Sequence, residues 1–233
     1  MIDTVFVPRG PEERAVRRGL GPSGSRVAIV ATGIGGRAAG LAAETALASD
    51  LPPSRVLVTG LCGLLSPAFR VADVLLYAWI ASADGSTQTN AALSAEIHDV
   101  VGAAQSGIRA LAVDRIVTRA REKRALGVQT GAHAADMESY ALVERLGREG
   151  ISVAVLRAAS DAAGDDLPDL NAALDGSGGL ESTALAIAML RDPLAAARMA
   201  RNALAALRAL ERAFRAIGAA LPHPAATASV REG

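Results

Sequence analysis

The chain has 233 residues, 51% of them hydrophobic, and its 24 basic and 24 acidic side chains cancel to a formal net charge of zero. That is enough for one large α/β domain with a sizeable core, and the charge balance gives no reason to expect nucleic acid as a partner. Cys62 is the only cysteine and His98, His133 and His223 are scattered, which excludes an internal disulfide and a cysteine-based cluster and leaves no metal site expected.

The opening segment MIDTVFVPRG has no basic region followed by a long apolar run and does not read as a signal peptide. No stretch approaches the ~20 apolar residues of a membrane span, so a cytoplasmic protein is expected. In chain order, β-rich runs predict strands at about 3–8, 26–32, 55–60, 73–80, 109–114 and 152–158. Helical patterns fall at about 11–18, 36–49, 89–103, 119–126, 137–149, 180–190 and 193–217. The runs RVAIVAT, RVLVTG and SVAVLRA are nearly all apolar, as strands buried on both faces are. The alternation predicts a three-layer α/β/α fold with a central, mostly parallel mixed twisted sheet. One domain is expected over residues 1–220 and a flexible tail over 221–233. The acidic, loop-rich segment 161–179 reads as a flap.

In open α/β sheets, ligands bind beyond the carboxyl ends of the strands. The predicted strands are followed by PRGPEER, TGIGGRAAG, GLCGLLSP and ASDAAGDD. Gly33-x-Gly35-x-x-Ala38 fits a relaxed dinucleotide fingerprint, so an NAD-dependent oxidoreductase is one reading. Against it, the loop follows the second predicted strand, and the next strand ends Val58-Thr59-Gly60 with no acid for a ribose. A plain strand-to-helix turn, or backbone N–H groups that hold an anion or a sugar hydroxyl, are the alternatives. Lys123 is the only lysine and so the one candidate for Schiff-base chemistry.

In ADMESYA, Asp136 and Glu138 suit a helix start, where acids meet the positive end of the dipole. Ser160-Asp161 alone would read as a cap or an Asx turn. Together, a Met-Glu helix start followed about twenty residues later by a strand ending in Ser-Asp resembles the purine nucleoside phosphorylase and 5′-methylthioadenosine/S-adenosylhomocysteine nucleosidase superfamily. ATGIGG and TGLCGLLSPAFRVADVLL look like further segments of that family, with Ala72 at a place usually held by glycine. The resemblance covers roughly residues 2–165. AAGDDLPDLNAAL and the closing Ala/Arg helix resemble its hopanoid-associated phosphorylase branch, thought to release adenine from adenosylhopane.

The resemblance implies cleavage of a purine N-glycosidic bond, with adenine as the expected base. Asp161 would be the general acid toward N7 and Ser160 would orient it. Glu138 would hold the ribose 2′- and 3′-hydroxyls over a floor formed by Met137. Gly33, Gly35 and Gly60 would contact substrate, and Ile116 stands where the family usually stacks an aromatic on the base. Glu12 is preferred over Glu13 to align water. Many phosphorylases carry Arg and Ser/Thr where Val58 and Leu61 stand here, which favours hydrolysis. Phosphorolysis, with phosphate as co-substrate in a pocket of Arg9, Arg14 and Arg37, is the alternative. No cofactor is expected. A nucleoside substrate and a homo-oligomer are, and a non-catalytic nucleoside-binding protein is a third class. The closing helix carries Arg198, Arg201, Arg208, Arg212 and Arg215 on one side and Leu207, Leu210, Phe214 and Ile217 on another. A docked helix with a solvated arginine face is expected, with contact to anionic lipid as the alternative.

Overall fold

The computed structural model describes residues 1–174, 179 and 181–221. The expected tail, apart from Leu221, and part of the expected flap lie outside the described residues. In chain order the elements are β1 (Thr4–Pro8), α1 (Pro11–Leu20), a 3₁₀ turn (Gly21–Arg26), β2 (Ala28–Thr32), α2 (Gly36–Leu47), β3 (Arg55–Leu64), β4 (Val74–Ser82) and β5 (Gly85–Gln88). There follow α3 (Ala91–Val101), β6 (Gln105–Ala112), α4 (Ala120–Thr130), β7 (Ala134–Asp136), α5 (Ser139–Arg148), β8 (Ser152–Asp161), a second 3₁₀ turn (Asn171–Ala173), α6 (Ser182–Arg191) and α7 (Pro193–Ala220). None of the described helices is long and apolar enough to cross a membrane.

The strands form one mixed sheet in the order β2-β1-β3-β7-β6-β4-β5, with β8 pairing to both β3 and β4. The pairings β3–β8, β8–β4, β4–β6, β6–β7 and β7–β3 therefore close a ring inside the sheet. One face is covered by α1, α3 and α7, through Val16, Leu93, Leu210 and Phe214. The other is covered by α2 and α5, through Ala39, Ala43, Leu142 and Leu146. These layers form because β1, β3 and β8 carry apolar side chains on both faces and must be covered on both. The closing helix docks as expected: Leu210, Phe214 and Ile217 are buried, and Arg201, Arg208, Arg212 and Arg215 are exposed.

Several elements differ from the sequence expectation. β5 and β7 were not anticipated: GSTQ is polar and exposed, and AAD is too short to show an alternation. β6 begins four residues earlier than expected, at Gln105. β3 runs on to Leu64 and β8 to Asp161, so GLCG and Ser160-Asp161 sit within paired strands rather than in loops beyond them. The glycines of GLCG make this extension feasible. At Gly60 (φ +143°) a Cβ would collide with the Arg157 guanidinium and with the ring of Pro8. At Gly63 a Cβ would lie 3.1 Å from Asp161 Oδ2. Both large side chains lie over β3 backbone that only glycine leaves open.

Ala72 is the one described non-glycine residue with positive φ (71°). The turn before β4 thus keeps a left-handed backbone although an alanine fills it, at a cost on the order of 1 kcal/mol. The turn is held because Ala72 N–H donates to Ala159 O at 2.8 Å and Ala159 N–H donates to Asp73 O at 2.9 Å.

Candidate active site

Gly63 brings the two acidic motifs together. It pairs with Ala135 on β7 and with Asp161 on β8. The β3–β8 register steps from Cys62↔Ala159 to Gly63↔Asp161, so Ser160 is an extra residue in β8. A bulge of this kind re-aims the side chain that follows it. Met137 and Glu138 leave β7 immediately after the pairing with Gly63. The result is a cavity of about 320 Å³ whose wall includes Glu12, Met137, Glu138, Ser160 and Asp161. That volume falls at the lower end of the range for small-molecule sites.

At one end, Glu138 Oε1 accepts the Gly35 N–H at 2.9 Å, and Oε2 accepts from Arg157 Nη2 at 3.2 Å. Arg157 is fully buried. It also lies 3.5 Å from Asp136 Oδ1 and donates to Ser139 Oγ at 3.0 Å. Burial opposes the guanidinium charge, but Asp136 and Glu138 outweigh it and hold the group above its ordinary range. Burial also raises the Glu138 carboxyl, although Arg157 pulls the other way. Asp136 caps the start of α5: Oδ1 accepts the N–H groups of Glu138 (3.0 Å) and Ser139 (2.8 Å), and Oδ2 accepts the Ser139 hydroxyl (2.7 Å).

At the other end, Asp161 is buried and forms an ion pair with Lys123, which is 1% exposed along its side chain. Lys123 Nζ also donates to Asp165 O at 3.0 Å and to Ala162 O at 3.4 Å. Ser160 Oγ lies 3.0 Å from Asp161 Oδ1 and 3.1 Å from Cys62 O. Burial raises the Asp161 carboxyl above its ordinary value, with Lys123 and Ser160 working against it. The lysine is therefore an ion-pair partner with its ammonium occupied, not a free Schiff-base amine. Its place in REKR on a helix reads as solvated charge. The available signal was compositional: it is the only lysine among 24 cationic side chains.

Glu12 is on the cavity wall, and burial, reinforced by the Glu138 charge, raises its carboxyl. Glu13 points elsewhere and pairs with Arg17 at 2.8 Å. Ile116 is on the wall, held by Asn171, whose side chain accepts the Ile116 N–H at 2.8 Å and donates to its carbonyl at 3.0 Å. Leu167 and Leu170, from the expected flap, complete an aliphatic part of the wall with Met199.

Of the glycines expected to touch substrate, Gly33, Gly35 and Gly60 are not themselves on the cavity wall, although their chain neighbours Ile34 and Leu61 are. Gly35 (φ +92°) spends its N–H on Glu138, and Gly60 makes room for Arg157. The glycine turn thus serves an internal carboxylate. Arg9, Arg14 and Arg37, the residues of the alternative phosphate pocket, are exposed and off the wall of this cavity. His133 stands outside the cavity, where Nδ1 accepts the Arg109 N–H at 3.3 Å and the ring packs on Phe69. Cys62 reaches the wall, but burial pushes its thiol up to about 12, which leaves it a neutral group.

No curated protein shows significant sequence similarity to the chain. Among solved structures, a mutant 5′-methylthioadenosine/S-adenosylhomocysteine nucleosidase of Helicobacter pylori with 5′-methylthioadenosine in its active site superposes with a TM-score of 0.65 at 15% identity, covering 91% of this chain and 98% of that one. A futalosine hydrolase mutant of the same organism gives the same values. The 5′-methylthioadenosine/S-adenosylhomocysteine nucleosidase of S. pneumoniae has a TM-score of 0.61 at 17% identity, covering 90% of this chain and 100% of that one. At these identities the likeness speaks for the fold. The profile of the phosphorylase superfamily matches residues 3–208, so nearly the whole described fold and both ends of the cavity fall inside the match, and the chain belongs to the phosphorylase superfamily.

Proposed function

We propose that this cavity cleaves the N-glycosidic bond of a purine nucleoside, with adenine as the base and water as the nucleophile. The observation that carries the reading is that Glu138 and Asp161, both buried, stand on the wall of one cavity. Bond cleavage has two electrical needs. The departing base must be neutralised, and the ribose, which becomes oxocarbenium-like, must be flanked by negative charge. Asp161 gives a proton to N7 as the C1′–N9 bond breaks and the bonding pair leaves with the purine. Water adds its oxygen to C1′ and yields a proton to Glu12. Glu138 accepts hydrogen bonds from the ribose hydroxyls, Met137 packs against the sugar, and Ile116 lies against the base. Ser160 keeps Asp161 in orientation.

Two properties of the site support this assignment. Burial raises Asp161 and Glu12 toward the range in which a general acid and a general base work. The basic residues on the wall are Arg115 and Lys123, and each already has a carboxylate partner: Glu122 for Arg115, Asp161 for Lys123. Phosphate, which favours open arginine forks, finds no such fork among the described wall residues. The solved relatives named as nucleosidases and as a futalosine hydrolase are consistent with water as the nucleophile.

The test is base release from methylthioadenosine, adenosine and inosine, with and without phosphate, and identification of the sugar as ribose or ribose 1-phosphate. Adenine release independent of phosphate, reduced about 10²–10⁴-fold in Asp161→Asn, is expected. Ribose 1-phosphate as the product would replace water by phosphate. Absence of base release from all three nucleosides would refute the proposal.

A further inference from the structure

The ammonium of Lys123 has three N–H donors and three acceptors: the Asp161 carboxylate, Ala162 O and Asp165 O. All three acceptors belong to the end of β8 and the loop that leaves it. The helix that carries Lys123 reaches the cavity because Gly127 packs on the backbone of Leu65, where a Cβ would lie 2.6 Å from Leu65 O. The geometry therefore ties α4, β3 and β8 together at the one carboxyl assigned to proton transfer.

The charged and titratable groups around Asp161 come from several elements. On β8 itself there is the Ser160 hydroxyl, and beyond the strand Asp165, which faces Arg198 of α7 at 3.5 Å and Asn202 at 3.3 Å. From β3 comes Cys62, a neutral thiol. Arg115 is paired with Glu122, and Arg157 serves Glu138 and Asp136 at the other end. Among the described residues, Lys123 is the cation in direct contact with Asp161. Burial drives that carboxyl toward its neutral form and Lys123 drives it toward the ionised one.

We propose that Lys123 is a positioning residue that clamps the Asp161 carboxyl on the cavity wall and governs when that carboxyl carries a proton. The catalytic consequence rests on the reading of Asp161 as the acid; the clamp does not. Removing a cation favours the protonated carboxyl, so activity that requires a proton on Asp161 should persist to higher pH in Lys123→Met. A purely structural lysine would lower kcat without moving the pH profile.

Because Lys123 is the only lysine, ¹⁵N-lysine labelling yields a single side-chain ammonium signal. In the wild-type protein that signal should move with one titration step that disappears in Asp161→Asn. In kinetics, the alkaline limb of kcat/KM should move upward in Lys123→Met and return toward the wild-type position in Lys123→Arg. An identical pH response of the ammonium signal in wild type and Asp161→Asn, or an unmoved alkaline limb in Lys123→Met, would overturn the proposal. If the wild-type protein releases no base, the nucleosidase reading falls while the ammonium titration still decides the clamp. If Lys123→Met does not fold, the titration and Lys123→Arg decide it.

Discussion

Beneath the Glu138 end of the cavity, one guanidinium serves two carboxylates and a hydroxyl. At the Asp161 end, one ammonium serves a single carboxylate and two backbone carbonyls. Both cations are buried, yet the arrangements respond differently to damage. Loss of Lys123 leaves one acid, which a single proton can neutralise. Loss of Arg157 leaves two buried carboxylates, Asp136 and Glu138, without their shared cation, and Asp136 cannot turn away without releasing the start of α5. The first arrangement leaves a carboxyl free to change its proton count, as an acid catalyst must. The second holds a carboxylate in a fixed place, as a ribose clamp must.

The largest expected effect therefore lies at Arg157. Arg157→Leu should cost about 3–5 kcal/mol of folding stability, the usual penalty for stranding buried charge, measured by urea unfolding near neutral pH. The variant should recover stability as the pH falls. Glu138 already titrates above its ordinary value in the fold, and without the cation its ionised form would be disfavoured further. A carboxyl raised in the folded state contributes stability that is present at low pH and lost as the pH rises through the folded value. A variant as stable as wild type at pH 8 would erase the contrast between the two ends.

Glu12 sharpens the contrast, since among the described residues it has no ion pair. Glu12→Gln should lower kcat by at least about 10²-fold while leaving the protein as stable as wild type, or more so, at neutral pH. The sign follows from burial, which raises this carboxyl above 4.5. Its charge then works against the fold at pH 7, and the wild type gains on the variant only as acid neutralises it. Parallel melting curves at pH 5 and pH 8 measure this difference. Lower stability of Glu12→Gln at pH 8 would mean that the carboxylate is held by a partner rather than kept poised.

The layers were legible because buried parallel strands write themselves as apolar runs, as in RVAIVAT and SVAVLRA. The ring was not, because the strand that closes it, Ala134–Asp136, is three residues long and continues into the helix signal of ADMESYA. Glu138 and Asp161 were visible as motif residues. Their meeting was not, since it depends on the register at Gly63 and on one extra residue at Ser160. Arg157 could be read as a partner for a buried acid, because a charge at the end of an apolar strand requires one. Lys123 could not, because a cation on a helix is ordinarily solvated.

The smallest effect is expected at Ser160, and it separates the two ends most finely. A hydroxyl has one proton to give, yet Oγ lies within hydrogen-bond reach of both Asp161 Oδ1 and Cys62 O. When Asp161 is ionised, Ser160 can donate to it. When Asp161 is protonated, the carboxyl can donate to Oγ and the serine proton can turn to Cys62 O. Ser160 thus remains bonded in both charge states, which no group around Glu138 needs to do. Ser160→Ala removes a bond from each state, so the fall in kcat/KM should be roughly tenfold or less, in line with about 0.5–1.5 kcal/mol for one hydrogen bond. Because Ser160 favours the ionised carboxyl, its loss should move the alkaline limb of the profile upward, in the same direction as Lys123→Met. A downward movement would mean that the serine mainly serves the protonated form.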